Sequence, residues 1–136
     1  MPKADVIICP RVGPELIAGS TRLKSATAAK LVLNMLTTTA MIRLGKVYNG
    51  WMVDLKPTSR KLRLRAMRMV CHLSRVSPAV AQSLLEGSKN NVKTAVLAGK
   101  LKQGSVKERV GKARRLLKAF NGSLAGALNH LPKLES

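Results

Sequence analysis

The sequence is most informative over residues 13–25, which read Gly13-Pro14-Glu15-Leu16-Ile17-Ala18-Gly19-Ser20-Thr21-Arg22-Leu23-Lys24-Ser25. We call this the signature stretch. Its glycines and proline predict a loop, and the hydroxyl residues that follow predict a helix from about Ser20, with Ser20 or Thr21 as its N-cap. Free backbone N–H groups, hydroxyls and the cations of Arg22 and Lys24 at a helix N-terminus suit a phosphate or a carboxylate. The carboxylate of Glu15 suits either sugar hydroxyls or the backbone N–H groups of its own loop.

Apolar segments flank the signature stretch on both sides. The run Val6-Ile7-Ile8-Cys9 is mostly β-branched and ends at Pro10, which predicts one short strand buried on both faces, as in a parallel sheet covered by helices. Residues 31–41 are apolar nearly all round, which predicts a buried helix that Gly45 ends. Because one strand cannot form a parallel sheet, we expect this part to be exposed, to dimerise through the helix or to dock on a missing partner.

A second part of the chain begins after Tyr48–Leu55, which we expect to be extended with Trp51 and Val53 as its anchors. The sequence Lys56-Pro57-Thr58-Ser59 predicts a loop that leads into a helix N-cap. We therefore place a domain boundary there, which gives domains of residues 1–57 and 58–136. The next helix carries an apolar stripe of Leu62, Ala66, Met69, Val70 and Leu73.

The C-terminal part contains an internal repeat. A shift that carries Ala81 onto Ala113 also carries Leu84, Leu85 and Ala95 onto Leu116, Leu117 and Ala127 without a gap. The same shift places Asn90-Asn91 over Gly122-Ser123, so each copy predicts a helix, a polar turn and a second short helix. Two such units and the preceding helix would form a small autonomous bundle with an aliphatic core. The predicted fold class is mainly α.

Charge and composition limit the classes of function that are possible. The chain has 25 Lys and Arg against 6 Asp and Glu, a net charge of +19, which makes a polyanion such as RNA or DNA a first candidate partner. From residue 58 onward there are 17 basic and 3 acidic residues, so the second domain carries most of this charge. Two cysteines, Cys9 and Cys71, are too few for a disulfide framework, which favours a reducing compartment. No apolar run is long enough for a membrane span.

The signature stretch resembles the signature of N-acetylmuramic acid 6-phosphate etherases and of the related glucokinase regulatory protein. The sequence after the signature stretch resembles the etherases more than the regulatory protein. Three segments carry this resemblance: Arg43-Leu44-Gly45-Lys46-Val47-Tyr48, Met52-Val53-Asp54-Leu55 and Asn91-Val92-Lys93-Thr94-Ala95-Val96. The resemblance covers nearly the whole chain. It implies the C-terminal half of such a protein: the last part of an α/β sugar isomerase (SIS) domain in residues 1–57, followed by the helical bundle.

The family's activity is implied in the same way. Its members cleave the lactyl ether of N-acetylmuramic acid 6-phosphate by elimination and water addition, work as cytoplasmic homodimers and need no metal or organic cofactor. Matched position by position, Glu15, Ser20, Thr21, Arg22 and Lys24 fall on the loop that borders the sugar phosphate, and we predict them as substrate-binding residues. The family's two catalytic glutamates match no residue here, so no catalytic residue is assigned and we expect the chain alone to be inactive.

Two other functions stay open at this point. The net charge and the missing catalytic half favour a non-catalytic basic protein that binds RNA, DNA or a ribosome-like assembly. The resemblance to the glucokinase regulatory protein favours a sugar-phosphate-sensing regulator. Cys71-His72 lacks a third ligand nearby, so we predict no metal site and expect Cys71 to be a small core residue.

Overall fold

The structure, a computed structural model, describes residues 3–131. These residues form six helices and one two-stranded antiparallel sheet, so the prediction of a mainly α protein is confirmed. The elements are α1 (Lys24–Arg43), β1 (Val47–Tyr48), β2 (Trp51–Met52), α2 (Arg60–Ser74), α3 (Pro78–Gly87), α4 (Val92–Lys100), α5 (Val106–Ala119) and α6 (Leu124–His130). None of the helices within residues 3–131 combines the length and the hydropathy that crossing a bilayer requires.

The chain divides into two compact units, one up to Ala40 and one from Met41 onward. The division lies within α1, whereas the sequence places a domain boundary at Pro57. A compact unit and a family domain need not coincide, and the boundary at Pro57 stays a prediction.

The first unit contains the signature stretch and most of α1. The strand predicted over Val6–Cys9 is wrong: these residues form no strand and are exposed, with Val6 74% accessible. The physical reason is that a strand requires a neighbour for its backbone hydrogen bonds, and the described residues place none beside it. The predicted burial of α1 is also wrong, since none of its residues is buried. Its apolar side chains have no second layer to pack against.

Helix α1 ends as its sequence predicts. Gly45 adopts a left-handed conformation with φ of 65°. Its N–H donates to the Ile42 carbonyl, and the N–H of Lys46 donates to the Met41 carbonyl. These two bonds satisfy carbonyls that the helix end would otherwise leave free, and the second closes a Schellman-type turn.

The extended segment after α1 is a β-hairpin. Val47 pairs with Met52 and Tyr48 with Trp51, around an Asn49-Gly50 turn in which both residues have positive φ. This is the conformation of a type I′ turn, and Asn-Gly is its usual sequence. Val53 follows the hairpin and is 1% exposed in the core of the second unit. Val53 and the partly buried Trp51 are thus the anchors that the sequence predicts for this segment.

Helix α4 is the centre of the second unit. It packs against α2, α3, α5 and α6, and six of its nine residues are buried. Helix α2 presents the predicted stripe to this core, with Leu62 only partly buried and Ala66, Met69, Val70 and Leu73 fully so. The expected N-caps at Ser59 and Ser77 are both present, each accepting a hydrogen bond from a backbone N–H three residues on. Cys71 lies partly buried against the same core.

The two copies of the repeat have the same local geometry. Lys89 and Asn90 are left-handed between α3 and α4, and Asn121 and Gly122 are left-handed between α5 and α6. The N–H of Asn90 donates to the Leu85 carbonyl, as the N–H of Gly122 does to that of Leu117. Asn91 and Ser123 then cap the second helix of each copy. Each copy is thus a helix, a tight left-handed turn and a shorter helix that enters the common core.

Candidate functional site

The signature stretch folds back on the start of α1 through the carboxylate of Glu15. The N–H of Lys24 donates to Glu15 Oε2 at 2.8 Å, and the N–H of Ser25 donates to Oε1 at 3.0 Å. These are two of the N–H groups that have no acceptor within the helix. Glu15 therefore caps α1 from nine residues away, and its negative charge lies at the positive end of the helix dipole.

Lys24 strengthens the same closure. Its ammonium Nζ donates to the Pro14 carbonyl at 2.8 Å, so both Pro14 and Glu15 of the Gly-Pro-Glu turn are held against the start of α1. Since the Lys24 cation points back to the loop and Glu15 supplies the anion, no foreign carboxylate is needed to stabilise this helix start. The structure thus shows Glu15 holding the loop, one of its two predicted roles. A carboxylate keeps further acceptor sites, and contact of Glu15 with sugar hydroxyls stays a prediction.

The remaining predicted site residues form the turn between Glu15 and α1. The N–H of Ser20 donates to the Ile17 carbonyl at 3.1 Å, and Ser20 Oγ accepts from the N–H of Arg22 at 3.3 Å. Thr21 and Arg22 are exposed. The expectation that Ser20 or Thr21 caps the helix is wrong, because α1 begins only at Lys24 and Glu15 already occupies the capping position.

The pKa of Glu15 lies below its ordinary value of 4.5, because the N–H groups of Ser25 and Lys24 hydrogen-bond to the ionised form. A carboxyl whose folded-state pKa is depressed stabilises the fold fully above its ordinary pKa and ceases to do so as the pH falls through the lower value. We therefore expect the cap to be complete at neutral pH and to open only in acid below 4.5.

Replacing Glu15 by alanine tests the cap directly. We expect amide hydrogen exchange at Lys24 and Ser25 to become faster at neutral pH, because both N–H groups lose their acceptor. The substitution Glu108→Ala, which opens the capping box of α5, is the matched control and should affect exchange near Ser105 alone. Unchanged exchange at Lys24 and Ser25 in the Glu15 variant would show that the carboxylate does not cap α1.

An apolar cleft of about 730 Å³ lies between the loop and α1 in the first unit. Leu16 and Val12 line it from the loop, and Leu23, Ala28 and Leu31 line it from the helix region. Beyond the cleft, α1 exposes Leu33, Met35 and Leu36 to more than half of their accessible area. The predicted binding residues are therefore carried on a closed loop beside an uncovered apolar surface.

A second polar cluster, in the second unit, was not anticipated. Lys93 Nζ lies 3.3 Å from Asp54 Oδ1 and donates to the Gly122 carbonyl at 3.2 Å. Lys46 Nζ lies 3.9 Å from the other oxygen of Asp54. The side chain of Lys93 is only 12% exposed, so the cluster joins the segment after the hairpin to the turn of the second repeat copy. Sequence spacing gives no signal for it, because its members are far apart in the chain.

Comparison with known proteins finds N-acetylmuramic acid 6-phosphate etherases among the relatives of this chain. No family model matches the chain. The N-acetylmuramic acid 6-phosphate etherase of Salinibacter ruber is 49% identical over 124 residues, which is 91% of this chain and 38% of the relative. That of Pectobacterium atrosepticum is 48% identical over 126 residues, 93% of this chain and 40% of the relative. N-acetylmuramic acid 6-phosphate etherase 2 of Vibrio cholerae is 55% identical over 94 residues, 69% of this chain and 31% of the relative.

The chain thus spans between 31% and 40% of the length of these relatives, which is consistent with the predicted C-terminal half. The identities near 50% extend over more than two thirds of the chain and include both of its compact units in the longest matches. On these grounds the chain belongs to the N-acetylmuramic acid 6-phosphate etherase family, as the signature stretch predicts.

Proposed function

We propose that this chain is the sugar-phosphate-binding C-terminal part of an etherase that cleaves the lactyl ether of N-acetylmuramic acid 6-phosphate. Residues 1–57 then complete an SIS domain and residues 58–136 form its helical appendage. The enzyme as a whole is a lyase of cytoplasmic amino-sugar catabolism and a homodimer. The chain contributes binding, and the remainder of the etherase contributes the catalytic carboxylates.

The observation that carries this proposal is the closed signature stretch. Glu15 accepts two hydrogen bonds and the Lys24 side chain donates one, and these three bonds within the chain hold the loop. The loop therefore presents Ser20, Thr21 and Arg22 on a rigid frame, with hydroxyls and a guanidinium that suit phosphate oxygens. The free acceptor sites of Glu15 suit sugar hydroxyls.

The uncovered apolar surface of the first unit supports the dependence on a further part of the protein. A helix of 20 residues without one buried side chain lacks most of the stabilisation that apolar burial gives. Large exposed apolar patches mark interaction surfaces. We propose that the N-terminal part of the etherase covers α1 and the neighbouring cleft, and thereby brings its catalytic groups to the signature stretch.

A chimera tests the proposed function. The matched part of the Pectobacterium atrosepticum relative is replaced by this chain, and lactate release from N-acetylmuramic acid 6-phosphate is measured for the chimera and for the chain alone. We expect turnover by the chimera and none above background by the chain. In the chimera, Arg22→Ala should raise KM for the sugar phosphate, whereas Arg114→Ala on α5 should leave it unchanged. A folded chimera without activity, or turnover by the chain alone, would refute the proposal.

A further inference from the structure

A basic groove lies beside α2, away from the signature stretch in the sequence and within the second unit. It has a volume of about 800 Å³. Its apolar side is formed by Trp51 of β2 and by Leu62 and Leu64 of α2, and Leu64 is 45% exposed. Its rim carries four cations, which are Arg60, Lys61, Arg65 and Arg68. A volume of this size accommodates a small organic group such as a nucleotide.

The charge of this groove is not neutralised within residues 3–131. The ion pairs found there both belong to Asp54 and involve Lys46 and Lys93, not α2. Helix α2 itself contains no acidic residue, and its first turn begins with Arg60 and Lys61. Cations at a helix N-terminus oppose the helix dipole. An anion bound in the groove would relieve both this opposition and the repulsion among the rim cations.

The arrangement of the rim fits a chain of phosphates better than a single one. Lys61, Arg65 and Arg68 recur at intervals of four and three residues, so they lie on one face of α2, about 6 Å apart along the axis for each four residues. Three of the four rim cations are arginines, whose planar guanidinium groups bind phosphate oxygens in pairs. The rim therefore provides successive contacts for a phosphodiester backbone.

The floor of the groove supplies a surface for a base. The ring of Trp51 is held by a tilted contact with His72, at 5.5 Å between ring centroids, and it faces the same groove as Leu64. Proteins that bind single strands combine a cationic groove with aromatic rings on which bases stack. We propose that the basic groove binds single-stranded nucleic acid without sequence preference, with phosphates on the rim and a base against Trp51. This site does not depend on the proposed etherase function.

Trp51 is the single tryptophan of the chain, so its fluorescence reports on the groove. The full chain is titrated with an oligodeoxythymidine, with the corresponding duplex and with poly-glutamate. We expect the single strand to change Trp51 emission and to bind most tightly. With four cations on the rim, affinity should fall about 50-fold between about 50 and 200 mM salt, since each neutralised phosphate on a single strand contributes about −0.7 to the logarithmic slope.

Two charge-reversal variants distinguish the groove from net charge. Arg65→Glu with Arg68→Glu alters the rim, whereas Arg114→Glu with Arg115→Glu makes the same change in net charge at exposed positions of α5. We expect about tenfold or greater loss of affinity and a shallower salt dependence in the rim variant, and about threefold loss or less in the control. Equal losses in the two variants, tighter binding of poly-glutamate or duplex, or unchanged Trp51 emission would overturn the proposal.

Discussion

Replacing Leu33 and Leu36 by glutamate is expected to reduce lactate release by the chimera more than about 100-fold. The two side chains lie on α1 and are 60% and 53% exposed in the free chain. If the N-terminal part of the etherase covers α1, each leucine contributes about 1–1.5 kcal/mol of further burial, because about half of it is exposed in the free chain. Each glutamate adds the cost of burying an unpaired charge, so the covered arrangement is lost in the double variant.

The same double substitution should leave the free chain folded. Because neither leucine is buried there, we expect unchanged helix content by circular dichroism and weaker self-association by sedimentation. The control places two glutamates at Met52 and Ala119, which are exposed and lie outside α1 and outside the basic groove. It should keep the activity of the chimera. Full activity of the Leu33 and Leu36 variant, or an equal loss in the control, would show that α1 is not the covered surface.

Gly99→Ala is expected to destabilise the helical bundle by about 1–3 kcal/mol, because the added methyl overpacks the core. Gly99 lies in α4, where a Cβ would stand 2.6 Å from Ser74 Cβ and 2.7 Å from Ser74 Oγ. Ser74 is buried, and its hydroxyl donates to the Val96 carbonyl at 2.9 Å. Relief of the clash requires α2 and α4 to separate or Ser74 to give up this bond.

Gly111→Ala is the control for Gly99→Ala. Gly111 lies in α5, and a Cβ there meets nothing within 4 Å. Alanine should raise the free energy of unfolding by about 0.5–1 kcal/mol, because it lowers the backbone entropy of the unfolded chain. Urea denaturation of the full chain measures both variants. A Gly99→Ala protein as stable as the original would contradict the close packing of α2 on α4.

Local signals in the sequence predicted much of the second unit. Ser59 and Ser77 cap their helices because a hydroxyl before a helix accepts a hydrogen bond from the N–H three residues on. This interaction is short-range in the sequence, so a local pattern predicts it. The repeat is visible because equivalent apolar residues enter one core. The extended segment predicted over Tyr48–Leu55 does not include the turn of the hairpin, although Asn49-Gly50 is a direct signal for such a turn.

The first unit was predicted less well because its structure depends on partners. The run Val6–Cys9 has the composition of a buried strand, but a strand forms only beside another strand. Burial of α1 likewise requires a surface that the described residues do not provide. The start of α1 was misplaced because its cap is Glu15, nine residues before Lys24, and capping rules consider only neighbouring residues. A family resemblance identifies the residues of the candidate site, and the structure adds that Glu15 accepts from the N–H groups of Lys24 and Ser25.

The contact between Glu15 and the start of α1 also determines how a ligand would be received. Because the contacts that close the loop are made by the chain's own groups, the conformational entropy of the loop is lost during folding and not during binding. A preorganised site of this kind loses less conformational entropy when the ligand binds. The signature stretch would then behave as a rigid receptor, with its shape set by the chain itself, and the conformational adjustment on binding would belong to the ligand and to whatever covers α1.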